Sequence, residues 1–358
     1  GLDLRKSGLR LDHVHLVSPY SKMEFAYKQP KHQDWFDVKV GNVRLTDVDI
    51  PGYFSTKELR VGGLWINDVL LQNLKNRKIP VEPHIVPMIY EGLQKAPVRF
   101  KIDTASVANF SVVYEELPVK GDKLGKLGKL YFTDMNGQFS GLTNIVSYPE
   151  QFITLHADGN LMGSGHFTAT WQLPVDSLYD RFLLDARLDS LDLLSLNEII
   201  KPLAPAEVTS GWAQDVVFHM DASSRKGRIR LDFPYRKLKV ALLKEKDGET
   251  TQKGFLSRLA NLVLRDNNPA HPERKDSKLR KVDMEIVRDP YHSTFNYLWQ
   301  MLRPALVESV GVSKKEQDAA LKVAGFFTKV KRFFGLDKKK DKREEIDTNN
   351  KEIEPLKE

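Results

Sequence analysis

His13 and His15 lie two apart in a run that alternates apolar and polar residues. On an extended backbone both imidazoles would leave one face of the strand, as a pair of metal ligands would. A metal site needs roughly three or four convergent groups, and no third ligand stands near them. Solvent-facing strand histidines explain the pair, and His156, His166 and His219 read the same way. Asp185, Asp189 and Asp192 come closest to an acid–base pair of carboxylates. Along a strand running into a turn, that spacing describes a polar face and a helix cap. Gly163-Ser164-Gly165 lacks the frame of a nucleophile elbow and reads as a turn. No Walker loop, no G-x-G-x-x-G and no H-E-x-x-H occurs. The sequence therefore predicts no enzyme: no catalytic residue, no metal and no cofactor.

Composition narrows the classes further. The 358 residues contain no cysteine, which excludes a disulfide scaffold, an iron–sulfur cluster and any thiolate site. Hydrophobic residues make up 41% and charged residues 29%, enough to bury a sizeable core. A net charge of +7 over this length is too dilute to point to nucleic acid, and no aromatic residues interleave with Lys and Arg as base-stacking strands require. No window approaches the roughly 18 apolar residues of a membrane span. The chain begins Gly1-Leu2-Asp3 without an initiator methionine, which predicts a signal peptide or membrane anchor upstream.

Strands must position whatever face does the work. Residues 1–145 alternate apolar and polar in short runs, Met23-Glu24-Phe25-Ala26-Tyr27 among them. One template occurs three times, at 40–50, 61–71 and 102–112, with apolar residues at its positions 1, 4, 6, 9 and 11 and Asp or Asn at position 8. Steps of two keep side chains on one sheet face; a step of three flips them unless the chain resets. Asp47, Asp68 and Asn109 suit the resetting position, because Asp and Asn tolerate bulge and turn conformations. The apolar positions then line one face as candidate groove residues: Val43, Leu45, Val48, Ile50, Leu64, Ile66, Val69, Leu71, Val107, Phe110 and Val112. Spacings of 21 and 41 residues are too irregular for a solenoid and favour a curved antiparallel sheet.

The rest reads as follows. Prolines at 80, 83, 87 and 97 interrupt the strands around a short helical segment at 88–93. Asp158-Gly159 predicts a hairpin turn. Strands follow at 165–173, 182–188, 212–220 and 229–243, with a short helix at 193–200. A polar insertion at 244–281 holds a helical stretch at 255–264 and a loose remainder at 266–277. Residues 282–286 make a last strand. Phe295, Leu298, Trp299, Leu302 and Leu306 then form the stripe of a helix, kinked or broken at Pro304 and ended by Gly311. Ser313 and Glu316 make a capping box for a second helix. Its Phe326, Phe327, Phe333 and Phe334 beside Lys329, Lys331 and Arg332 give an interfacial look, a candidate contact with a membrane or partner. The expected organisation is a β-repeat region (1–145), a long-strand meander (146–290), amphipathic helices (291–335) and a disordered charged tail (336–358).

This succession of strands resembles the AsmA-like family of Gram-negative envelope proteins, in a branch seen in Bacteroidetes-type bacteria. The matching residues are Val43-x-Leu45-x-Asp47-Val48-x-Ile50, Val107-x-Asn109-Phe110-x-Val112-x-Tyr114, the hairpin 159–165 leading to Trp171-x-Leu173-Pro174, Leu191-Asp192-Leu193 before Pro202-Leu203, Tyr235-Arg236-Lys237-Leu238 and Arg288-Asp289-Pro290 before Phe295-Asn296-Tyr297. The resemblance implies a periplasmic protein anchored to the inner membrane, with a β-groove that shields lipid tails or supports outer-membrane assembly. Its partners would be a lipid or lipid-like ligand, other envelope proteins and a membrane surface, without nucleic acid. The alternative is a periplasmic scaffold with a closed β core and no lipid; a weaker third reading is a hydrolase of envelope polymers. The expected fold is mainly β: long curved antiparallel sheets forming a groove or open half-barrel, with short helices and a C-terminal helix pair.

Overall fold

The computed structural model describes residues 2–3, 8–31, 33–76, 78–79, 83–118, 127–204, 206–245, 256–262 and 265–311. Long alternating runs form thirteen strands: β1 (Gly8–Val17), β2 (Trp35–Val48), β3 (Glu58–Asn76), β4 (Arg99–Leu117), β5 (Gly128–Ser140), β6 (Phe152–Leu161), β7 (Gly165–Pro174), β8 (Phe182–Asp192), β9 (Ala206–Ala222), β10 (Lys226–Asp232), β11 (Tyr235–Glu245), β12 (Leu256–Leu262) and β13 (Lys281–Val287). Two further strands have two residues each. All join one open sheet in the order β1-β2-β3-β4-β5-β6-β7-β8-β9-β10-β13, with β11 pairing both β9 and β12. The fold is mainly β, as expected, and the sheet is not closed.

Its pairing departs from the expectation at one place. β3 and β4 run parallel over their whole 19 residues. A parallel pair needs a crossover, and the proline-broken stretch 77–98 supplies it, with α3 (Ile89–Gln94) inside. The sheet is therefore mixed rather than antiparallel.

Several local expectations are also corrected. Met23–Tyr27 lies in a helix, α1 (Lys22–Lys28), where Glu24 and Lys28 pair one turn apart at 2.6 Å and Phe25 and Ala26 are buried. The stretch 229–243 is two strands, because Pro234 cannot donate to a ladder. Asp158 and Gly159 stay inside β6; the turn comes at Met162 and Gly163, which take φ of 51° and 74°. Leu256–Leu262, expected to be helical, pairs with β11. The supposedly loose stretch contains Asn268, 1% exposed, whose Nδ2 donates to Phe233 O at 2.7 Å.

Among the described residues the α-helices are few: besides α1 and α3 there are α2 (Ile50–Thr56), α4 (Asn197–Leu203) and α5 (Thr294–Val310). α5 runs through Pro304, and Gly311 ends it. Its buried stripe is Thr294, Tyr297, Met301, Ala305 and Ser309; Leu298, Leu302 and Leu306 of the expected stripe pack beside it against the core, whereas Phe295 and Trp299 are exposed. The helix lies close to the sheet on this side. A Cβ on Gly227 in β10 would come within 2.6 Å of Met301 Sδ. The second helix of the expected pair lies outside the described residues.

α5, β6 to β11 and β13 bury the main core, around Phe182, Met220, Ile229, Leu231, Tyr297 and Met301, each at most 1% exposed. Three phenols sit in the fold's interior, and burial raises the pKa of each of Tyr90, Tyr235 and Tyr297. Tyr90 also donates to Asp180 at 2.5 Å. Their contribution is complete below the unfolded tyrosine pKa of about 10 and lost as pH rises through the folded values. In an alkaline titration, these three of the 11 tyrosines should ionise only together with loss of the fold, as a phenolate absorbance step coincident with loss of circular dichroism. An absorbance rise that accounts for all 11 before the dichroism changes would contradict this burial.

Candidate functional site

Residues opposite one another in a ladder share a sheet face. Ten of the eleven candidate groove residues meet in this way. Val43 pairs with Ile66, and Ile66 with Val107. Leu45 pairs with Leu64; Val69 pairs with Phe110; Leu71 pairs with Val112. Val48 faces Val61 at the end of β2. Ile50 is the exception, because it opens α2 instead of continuing the strand.

The same rows contain residues that the template did not reach. β1 adds Leu9, Leu11, Val14 and Leu16, and β5 adds Phe132, Met135 and Phe139. Their alternation was legible, but their short repeats do not match the template. One row can be followed across the sheet: Leu9, Leu45, Leu64, Ala105, Phe139, Leu155, Trp171, Leu184, Met220, Ile229, Met284. Every member is apolar.

Corners keep that face apolar along the strands. Asp47, Asp68 and Asn109 all adopt positive φ, at 53°, 58° and 52°. His13 in β1 and Asp134 in β5 do the same, at 57° and 54°. Each left-handed residue absorbs the step of three, so that Ile66 and Val69 both stay on the apolar side. Displaced polar side chains bond along the other side. Asn109 Nδ2 donates to Asp68 Oδ1 at 2.7 Å, and Asn67 Nδ2 to Asn42 Oδ1 at 3.0 Å. A glycine stands opposite a corner because the strands approach closely there. A Cβ on Gly41 would lie 2.8 Å from that of Asp68, and one on Gly62 would lie 2.8 Å from that of Asp47.

Cover divides the face. From Trp171 to Ile229 the row is buried beneath α5 and its neighbours. On β2 and β3 its members Leu45 and Leu64 are not, although Ala105 on β4 is. All eleven candidate groove residues keep part of their surface accessible, and none belongs to either buried cluster among the described residues. Leu11, Leu16 and Phe36, on the same face, are 46%, 58% and 45% exposed. The arrangement can solvate an apolar chain laid along the strands; it offers no group for bond chemistry.

The other candidates lie elsewhere. His13 sits at its corner, and His15 Nε2 is 2.8 Å from Asp37 Oδ1. Asp185 and Asp189 hold His219 and His166 at 2.7 and 2.8 Å on the polar face, and the His166 bond draws the Asp189 carboxyl below its ordinary pKa. Asp192 caps the following turn through Leu194 N. Ser164 stands in the β6–β7 turn. Among the described residues no three His, Asp or Glu side chains gather as a metal site. Phe326, Phe327, Lys329, Lys331, Arg332, Phe333 and Phe334 lie outside the described residues. No family model matches the chain, and no curated protein matches it.

The corners make a stability expectation. Gly41→Ala and Gly62→Ala should each cost about 1–3 kcal/mol in urea unfolding, since neither Cβ has room. Asp68→Val should cost about 1–3 kcal/mol more than Asp68→Gly, because a β-branched residue strains at positive φ. Equal costs for Val and Gly at position 68 would contradict the corner.

Proposed function

We propose that the chain is a non-catalytic cell-envelope protein that holds the acyl chains of lipids along the uncovered apolar face of β1 to β5. One observation carries the reading: a single apolar row, sealed under α5 at one end, stays accessible at the other. Acyl chains suit such a face because their binding is non-directional. Each methylene taken from water contributes about 0.8 kcal/mol, without a hydrogen bond to aim. The resemblance to AsmA-like proteins supports the same reading and, with it, a periplasmic setting, an inner-membrane anchor and a part in outer-membrane assembly or lipid transport. The covered half favours a second reading, a periplasmic scaffold that binds proteins and no lipid.

A fluorescent fatty acid, bright only in apolar surroundings, separates the two. The wild-type chain should bind it saturably. Ile66→Asp combined with Val107→Asp should weaken binding about tenfold or more, since two charges would then stand in the row. Val217→Asp, on the polar face, should not. Absence of saturable binding, or equal binding by all three proteins, would leave the scaffold.

A further inference from the structure

Strand direction and register place many connections at one end of the sheet. β2 and β5 end there, β3, β4, β6, β8 and β10 begin there, and β7, β9 and β13 end there. The six most exposed large apolar side chains among the described residues all stand at this end. They are Leu178 (89%), Val287 (77%), Ile85 (74%), Phe54 (69%), Phe295 (64%) and Tyr148 (60%). Phe54 is on α2, Ile85 precedes α3, and Tyr148 precedes β6. Leu178 stands between β7 and β8, Val287 ends β13, and Phe295 opens α5. Single apolar residues dotted over a surface need no explanation. Confinement of the six most exposed to one end does.

The connections that present them are fastened together. Asp180 accepts from Tyr90 Oη at 2.5 Å, Ser224 N at 2.7 Å and Ser224 Oγ at 2.9 Å. Arg288, 6% exposed, donates to Val86 O at 2.6 Å, His292 O at 3.0 Å and Ser224 O at 3.2 Å. Asn144 Nδ2 donates to Val98 O at 2.9 Å, and its Oδ1 accepts from Phe100 N at 2.7 Å. Hydrogen bonds thus tie the crossover, the β7–β8 and β9–β10 turns and the entry to α5 to one another.

The occupant follows from charge and shape. Three long cations at this end pair with neighbours: Arg99 with Glu58, Arg181 with Asp221, Lys226 with Glu285. Lys57, Lys95 and Arg225 are exposed there too, beside the exposed carboxylates of Asp49, Glu150 and Asp289, so no surplus of positive charge selects an anionic surface. The six side chains protrude from separate connections, a pattern that a fluid boundary accepts and a shape-matched protein surface does not. Tyr148 and Tyr291 add amphipathic rings of the kind that settle at headgroup depth. We infer that this end of the sheet docks on the headgroup boundary of a lipid bilayer by apolar insertion rather than by charge. The inference goes beyond acyl binding and does not need it, since a sheet that carries no cargo would still dock.

The cysteine-free chain allows one dye at a time. Leu178→Cys and, at the opposite end, Tyr27→Cys would each carry a polarity-sensitive thiol fluorophore on the full chain. Neutral phosphatidylcholine vesicles should shift the dye at 178 to the blue, at low and at high salt, and leave the dye at 27 unchanged. Adding Ile85→Asp and Val287→Asp to the Leu178→Cys protein should weaken the vesicle titration about tenfold or more. Both sites are exposed, so the fold should survive. No shift at 178, equal shifts at both positions, a shift confined to anionic vesicles at low salt, or a titration unchanged by the two aspartates would each overturn the inference. Acyl binding is read by the free fatty-acid probe, which contains no bilayer, so either result can fail without the other.

Discussion

The sheet presents more apolar face than the one long helix among the described residues covers. α5 has 17 residues, so it spans about 25 Å. The apolar row crosses eleven strands, and at about 4.8 Å between neighbours that is roughly 48 Å. α5 lies chiefly along β10 and β13, reaches Trp171 of β7 through Phe295, and leaves the strands beyond without its cover. It settles over the part where Gly227 admits it closely and where Trp171, Phe182 and Tyr297 stack edge to face. The rest of the face meets solvent or a guest. Folded proteins seldom leave a large apolar surface without a use for it, and acyl binding supplies one.

What holds the uncovered half together is the ladder rather than a core. β3 and β4 are the longest strands of the sheet, and their parallel register is unbroken in face from Glu58 to Asn76. The corners keep the alternation in phase along this length, and the Asn109–Asp68 bond ties two neighbouring corners on the polar side. A small separate cluster of Phe25, Ala26, Trp35 and Leu74 pins α1 at one end of the strands. Strand geometry, and not a packed interior, thus sets the shape of the face. That suits a surface whose occupant is a fluid chain.

Much of this was legible in the residues. The triple template placed the left-handed corners at Asp47, Asp68 and Asn109, because a step of three on a two-residue period requires a reset. It put ten of eleven groove residues on one face for the same reason. What failed was non-local. The parallel register of β3 and β4 depends on where a crossover lands, which no local pattern encodes. The stripe of α5 was placed in part: Leu298, Leu302 and Leu306 pack against the core, but hydrophobicity also favoured the exposed Phe295 and Trp299 and passed over Met301, which meets Gly227. Residues 23–27 and 256–262 are short apolar runs, for which periodicity alone does not separate helix from strand. Asp158-Gly159 carried a turn signal, yet Gly159 is needed for space, since a Cβ there would lie 2.5 Å from Met135 Cγ.

The account stands on the apolar row of β1 to β5 being open to a guest. A crystal of the protein grown with a fatty acid brominated on its chain would show this directly through the anomalous signal of bromine. The account expects bromine beside Val43, Ile66 and Val107, on the face that Leu11 shares. Bromine found only elsewhere, or those side chains closed beneath a segment of the protein itself with the fatty acid in excess, would contradict it.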